Sequence, residues 1–298
     1  MTASRNRVAA GAGNSGQEIL YRLARRPVHS RPGQHRSLSP GPGLDVHGFA
    51  PLATYPDARR LDLRLSARDP FGRWIVRLPR QRSSAKLMVL ADLSASMTFG
   101  EAPRKQDALA DLVDALGHSA WRSGDAIGFV GVDDELPERW TLAPTRSRGA
   151  TVELAQRLRG ARLAGRGAGA MRLAAHRFGR GRDSLVFMVS DFHWPDADME
   201  AACAALASRD VVPVVLWARH EFEAWPRRGL AELQDLESGE RRTVWFRPAL
   251  ADHMARAGAR RRDELRLRFA RYGWRPFFCD GAFDAAALNA YFHGEDRD

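Results

Sequence analysis

Asp92, Ser94 and Ser96 stand at two-residue steps at the end of an apolar run, KLMVLAD, residues 86–92. An acid and two hydroxyls on one turning loop offer three oxygen donors. That suits a hard cation such as Mg2+, which takes an oxygen shell and keeps several waters. A second acid, Asp191, closes another apolar run, SLVFMVSD at 184–191. It can enter the shell or orient a bound water. The competing reading is a helix beginning after Ser96, with Ser94, Ser96 or Thr98 capping its free N–H groups. Taken alone, D-x-S-x-S favours the cap. Two acids ending two strands at one sheet edge favour a site.

That geometry requires both runs to be strands buried on both faces. The rest of the chain supplies the partners of such a sheet. DAIGFVGV and VVPVVLW read as further buried strands, RWTLAP and RPFFCD as shorter ones. Helical spacing marks RKQDALADLVDALGHSAWRSG, TVELAQRLRG, MRLAAHRFG, MEAACAALASRD, ALADHMARAGARRRDELRLRFARYG and FDAAALNAYF. Apolar strands alternating with helices predict an α/β fold: an open, mostly parallel sheet with helices on both faces, spanning 83–298. Sites in such sheets lie outside the carboxyl ends of the strands. Residues 44–82 predict a β-rich extension, with RRLDLRL and FGRWIVRLP as a hairpin around DPFG. Residues 1–43 read as a flexible basic leader, with a short amphipathic helix at QEILYRLARR.

Composition narrows the class. Of the net charge of +10, all lies in residues 1–82, with 15 arginines against five carboxylates; the remainder balances. No helix-turn-helix, finger or single-strand-binding pattern accompanies the basic segment, so a nucleic-acid surface is not favoured. Two cysteines, Cys203 and Cys279, are too few for a disulfide framework and fit a reducing compartment. No apolar run reaches membrane-spanning length and no secretion signal is evident, so a cytoplasmic location is expected.

The same residues also allow enzymatic readings. A haloacid-dehalogenase-type phosphatase also places an Asp nucleophile after a buried strand and uses Mg2+. It needs a second acid two residues on, to protonate the leaving group. Ser94 holds that position. A histidine hydrolase built on His193 lacks a G-x-S-x-G elbow. Trp194, in DFHWPD, is placed on a site loop and expected as an interface anchor.

DLSAS followed by a helix resembles the metal-ion-dependent adhesion site of von Willebrand factor A domains. Asp92, Ser94 and Ser96 match its first motif and Asp191 its later acidic loop. YPDARRLDLRLSARDPFGRWIVR, residues 55–77, resembles the D-x-R-x-I-D-W-x-x-S-A-R signature of the bacterial "domain of unknown function 58" group. Asp57, Arg59, Asp62, Ser66, Ala67 and Arg68 fit it, with Leu63 where Trp is usual. PRRGLAELQDLESGE, 226–240, resembles a later segment of that family. The resemblance implies a von Willebrand A-like, non-enzymatic interaction module. It implies Mg2+ or another divalent cation held by Asp92, Ser94, Ser96 and Asp191, with a vacant position for a partner's acid. It also implies a MoxR-type AAA+ ATPase as partner and a client protein, such as a dehydrogenase, matured or activated by the pair. One expected ligand is missing: the segment GRGAGAMRL, 165–173, where a Thr is expected, has no hydroxyl. Thr145 and Thr151 lie upstream of it.

Overall fold

The computed structural model describes residues 18–22, 32–40, 46–99, 104–165, 167–178, 184–218, 221–222, 228–234 and 240–294. Its centre is a six-stranded sheet. The strands are β4 (Lys86–Asp92), β5 (Ala126–Val132), β6 (Thr141–Thr145), β7 (Ser184–Ser190), β8 (Asp210–Trp217) and β11 (Phe277–Asp280). Their order is β11-β8-β7-β4-β5-β6, parallel throughout except for β6 at one edge. From β4 the chain winds one way to β5 and β6, then returns to build β7, β8 and β11 on the other side. That reversal makes the β4–β7 junction the switch point where such sheets hold ligands. The expected von Willebrand A-like α/β architecture is present.

Successive side chains of a strand point to opposite faces, and here they feed two cores. Leu87, Val89 and Ala91 pack with α2 (Lys105–Ser123), α3 (Arg148–Gly160) and α7 (Ala285–His293). Met88 and Leu90 pack with α4 (Met171–Phe178), α5 (Asp196–Leu206) and α6 (Pro248–Ala270). Burial on both faces is why β4 reads as an unbroken apolar run. Helix α2 ends at Gly124, whose φ of 71° supplies the left-handed cap that releases the chain into β5.

Three expectations are corrected. RRLDLRL is not a strand: it forms a 3-10 turn, Ala58–Arg60, and a single helical turn, α1 (Leu63–Ser66). Capping acids decide its backbone. Asp57 accepts from Arg59 N, and Asp62 accepts from Leu65 N at 3.0 Å and Arg77 Nε at 2.8 Å. Ser66 Oγ accepts from Ile75 N and donates to the Asp62 carbonyl, both at 2.8 Å. Asp62 and Ser66, two positions of the family signature, therefore knit the turn onto β3 (Ile75–Ser83). The leader 1–43, expected to be flexible, is described at 18–22 and 32–40, and the rest of it lies outside the described residues. Residues 32–40 form β1 (Pro32–Pro40), which pairs with β3, as does β2 (Val46–Pro51). Residues 18–22 run irregularly rather than helically. Ile19 is buried, its N–H donating to Ser119 Oγ at 2.7 Å, and the Tyr21 hydroxyl reaches the buried Asp125 carboxylate. Burying an aromatic against a polar anchor outweighs the weak helix signal of so short a segment.

Asp125 also accepts from Ala85 N at 2.6 Å, so this carboxylate ties residues 18–22 to the root of β4. Tyr21→Phe removes one donor from a buried acid and is expected to cost about 1–3 kcal/mol. Urea denaturation checks it; an unchanged midpoint refutes the anchor.

Both cysteines are buried, and burial pushes each thiol up to about 12. Native protein at neutral pH should leave a thiol reagent unreacted, with both thiols appearing on unfolding. Because the folded state holds these protons more tightly, this stabilisation is present below the ordinary thiol range, about 8.5. It is lost as pH rises toward the folded value. Rapid labelling of the native protein contradicts this placement.

Candidate functional site

The expected residues meet where β4 and β7 end. Asp92 is the last residue of β4, and its side chain is fully buried. Its Oδ1 accepts from Ser94 N at 2.8 Å. Its Oδ2 accepts from Ser190 Oγ at 2.7 Å and from the Trp194 indole N–H at 2.8 Å. Burial, and then the nearby Asp191 charge, raise Asp92 above the ordinary carboxylate range. Trp194 is therefore corrected: it is buried and turned inward onto Asp92, not presented as an interface anchor.

The cap reading is not realised. Residues Ala95–Thr98 form a 3-10 turn whose first N–H groups receive no bond from the Ser94 side chain, and α2 starts only at Lys105. Ser94 Oγ lies 3.1 Å from Ser96 Oγ instead. The nearby Ser96 hydroxyl favours the charged form of Asp191. Asp92, Ser94 and Ser96 are thus linked at the end of β4, beside Asp191 at the neighbouring strand end.

The loop after β7 is shaped by Phe192, a non-glycine residue at φ 58°. That left-handed conformation costs on the order of 1 kcal/mol. The ring is fully buried, with centroids 5.1 Å from both Trp194 and Phe269, and its carbonyl accepts from Arg261 Nη2 at 2.5 Å. These contacts hold the turn that sends Asp191 and Trp194 into the same cluster.

Two residues that the sequence reading missed complete it. Lys105, the first residue of α2, donates from Nζ to Asp191 Oδ2 at 2.7 Å and to Glu221 Oε1. The Lys105 and Asp191 side chains are each only 2% exposed. Burial opposes charge on Lys105, but the Asp191 and Glu221 carboxylates outweigh it and hold the ammonium above the ordinary lysine range. Burial likewise opposes charge on Asp191, and the Lys105 ammonium outweighs it, keeping that carboxylate ionised. His193 Nε2 lies 3.8 Å from Glu221 Oε2, and Glu221 raises its pKa. One signal for Lys105 was available: the chain has two lysines among 46 basic residues. A compact ammonium fits a closed pocket that a planar guanidinium fork would not. Glu221 carries no comparable signal.

The loop that should supply a threonine does reach the site. Gly165 bridges to Ser94, and its carbonyl accepts from Ala95 N at 2.8 Å. A Cβ on Gly165 would lie 2.4 Å from the Asp133 Cβ, so the close approach needs glycine. Residues 165 and 167–170 offer only Gly and Ala. Thr145 pairs with Ile127 near the start of β5, at the opposite edge of the sheet, and Thr151 lies in α3, bonded to the Arg148 carbonyl. Neither substitutes.

The groups as arranged do not fit a divalent cation. Both Asp92 oxygens already accept bonds, the hydroxyl ligand from the third loop is missing, and Lys105 occupies Asp191. A divalent ion on the other side of that carboxylate would sit roughly 5 Å from the ammonium. At an effective dielectric near 20 the repulsion is about 7 kcal/mol. Asp191, His193 and Glu221 also bring ligand atoms within 4.8 Å of one another, but Lys105 bonds both of those carboxylates.

A sheet wound both ways from β4, with a D-x-S-x-S loop and an acidic loop beside it at the carboxyl edge, defines the von Willebrand A-like class. Within that class the chain belongs to the family described as "Protein of unknown function DUF58", which matches residues 56–264. An "uncharacterized protein in moxR 3'region" of Paracoccus denitrificans is 42% identical over 94 residues, 31% of this chain and 88% of that protein. An uncharacterised protein of Mycobacterium tuberculosis is 28% identical over 235 residues, 78% of this chain and 73% of its own. The solved structure of the conserved hypothetical protein BatB from Bacteroides thetaiotaomicron aligns at 15% identity and a TM-score of 0.40, covering 72% of this chain and 98% of that one.

Trp194→Phe keeps an aromatic ring, smaller than the indole, and deprives buried Asp92 of a donor. It should lower stability by about 1–3 kcal/mol, read from denaturant midpoints. A neutral result refutes the indole–carboxylate bond.

Proposed function

We propose that this chain is a non-enzymatic interaction module that works with a MoxR-type AAA+ ATPase on a client complex, docking through the loops at the carboxyl edge of its sheet. One observation carries the reading: the strand-end acids are committed to holding loops. Asp92 is fully buried, and both of its oxygens are bonded to the loops after β4 and β7. A nucleophile must be reachable by substrate, and a general acid must be free to give up its proton. Asp92 meets neither condition, and Ser94 stands where a phosphatase acid belongs. What the network does achieve is a fixed set of loops with a polar rim, including His193, whose side chain is 41% exposed and stacked on Phe222. Supporting the ATPase as partner is the moxR 3' position of the Paracoccus relative. Among the described residues no helix is long and apolar enough to cross a membrane.

The test is co-purification with the MoxR-type ATPase encoded nearest this gene. Wild-type protein should retain the ATPase, and His193→Glu, which places a carboxylate on the rim, should reduce recovery by about tenfold or more. No recovery with wild type sinks the adaptor role. Binding of random-sequence DNA that falls steeply with salt would favour a basic nucleic-acid binder instead.

A further inference from the structure

The resemblance to an adhesion site implies a cation between the site's own acid and a carboxylate from outside. Both of those places are filled here from within the chain. The acid is Asp191, at the end of β7. The cation beside it is the Lys105 ammonium, 2.7 Å from Asp191 Oδ2. The second carboxylate, on the other side of that ammonium, is Glu221, which follows β8. Three separate elements thus converge on one buried positive charge: the start of α2, the end of β7 and the segment after β8. We propose that Lys105 is the resident cation of this site and Glu221 its internal ligand, so that the chain is complete without a divalent metal.

Three observations support this independently of one another. The ammonium is not a surface charge that drifted inward: its side chain is 2% exposed, against 17% for Glu221. The third-loop hydroxyl that a metal would require is absent, and glycine is sterically demanded at Gly165, where the loop meets Ser94. The two serine hydroxyls of the loop are bonded to each other, with Ser94 Oγ 3.1 Å from Ser96 Oγ. A lysine gives three directed donors and one charge, which balances Asp191; Glu221 is then shared with His193 across 3.8 Å. A divalent ion would have to displace the ammonium from Asp191 and part the two serine hydroxyls. The inference concerns the cation alone and holds whichever partner docks, so it is tested on the purified chain.

The experiment is calorimetric titration and thermal unfolding of the full chain with Mg2+ and with Mn2+. Compared are wild type, Lys105→Met and Asp191→Asn. For a real site, metal at roughly 100-fold above its Kd should raise the melting temperature of a chain this size by about 4 °C. The expected result is no saturable heat and no such rise for wild type. Lys105→Met should melt lower than wild type and recover part of that loss in Mn2+, because removing the ammonium leaves Asp191 and Glu221 facing each other. Saturable binding of Mg2+ or Mn2+ to wild type that is lost in Asp191→Asn overturns the proposal. The wild-type arm decides the matter even if Lys105→Met does not fold.

Discussion

Two carboxylates sit buried at the ends of neighbouring parallel strands, and the structure around them answers to that constraint. Ionised acids out of water are costly unless each oxygen is bonded and the charge is met. Asp92 and Asp191 meet this demand differently. Asp92 is satisfied by dipoles, through a backbone N–H, a serine hydroxyl and an indole, while burial favours its protonated form. Asp191 is satisfied by a charge, the Lys105 ammonium, and stays ionised. The two environments push the acids apart, Asp92 above and Asp191 below the ordinary carboxylate range. The left-handed turn at Phe192, the glycine at 165 and the start of α2 at Lys105 are the local features that bring those partners into place.

The fold was legible in the sequence wherever burial is two-sided. β4, β5, β7 and β8 are continuous apolar runs because the sheet is covered on both faces, and the helices between them show their 3.6-residue period. The reading failed where short polar residues govern the backbone. Asp57 and Asp62 cap turns, while Leu61, Leu63 and Leu65 alternate with Asp62 and Arg64 as a strand would. It also failed at residues 18–22, where Tyr21 is held by Asp125, a residue 104 positions away. No local pattern encodes such a contact.

The site was legible in its acids and hydroxyls and illegible in its cation. Asp92, Ser94, Ser96 and Asp191 do assemble, as the paired strand ends implied. The sequence could not show that a lysine nine residues beyond Ser96 turns back onto Asp191, since that depends on how α2 lies across the strand ends. Trp194 was noticed as an aromatic on a site loop, but its direction depends on the backbone at Phe192. The same strand-end rule that found Asp191 would have found Asp133, which follows β5 and lies against Gly165.

The central claim is that this family member meets the charge of its strand-end acid with its own lysine. The most direct measurement is an anomalous difference map from crystals of the full chain grown in Mn2+. The account predicts no manganese peak among Asp92, Ser94, Ser96 and Asp191, with the Lys105 ammonium bonded to Asp191 and Glu221. A manganese peak flanked by the Ser94 and Ser96 hydroxyls, with Lys105 turned away from Asp191, would contradict it.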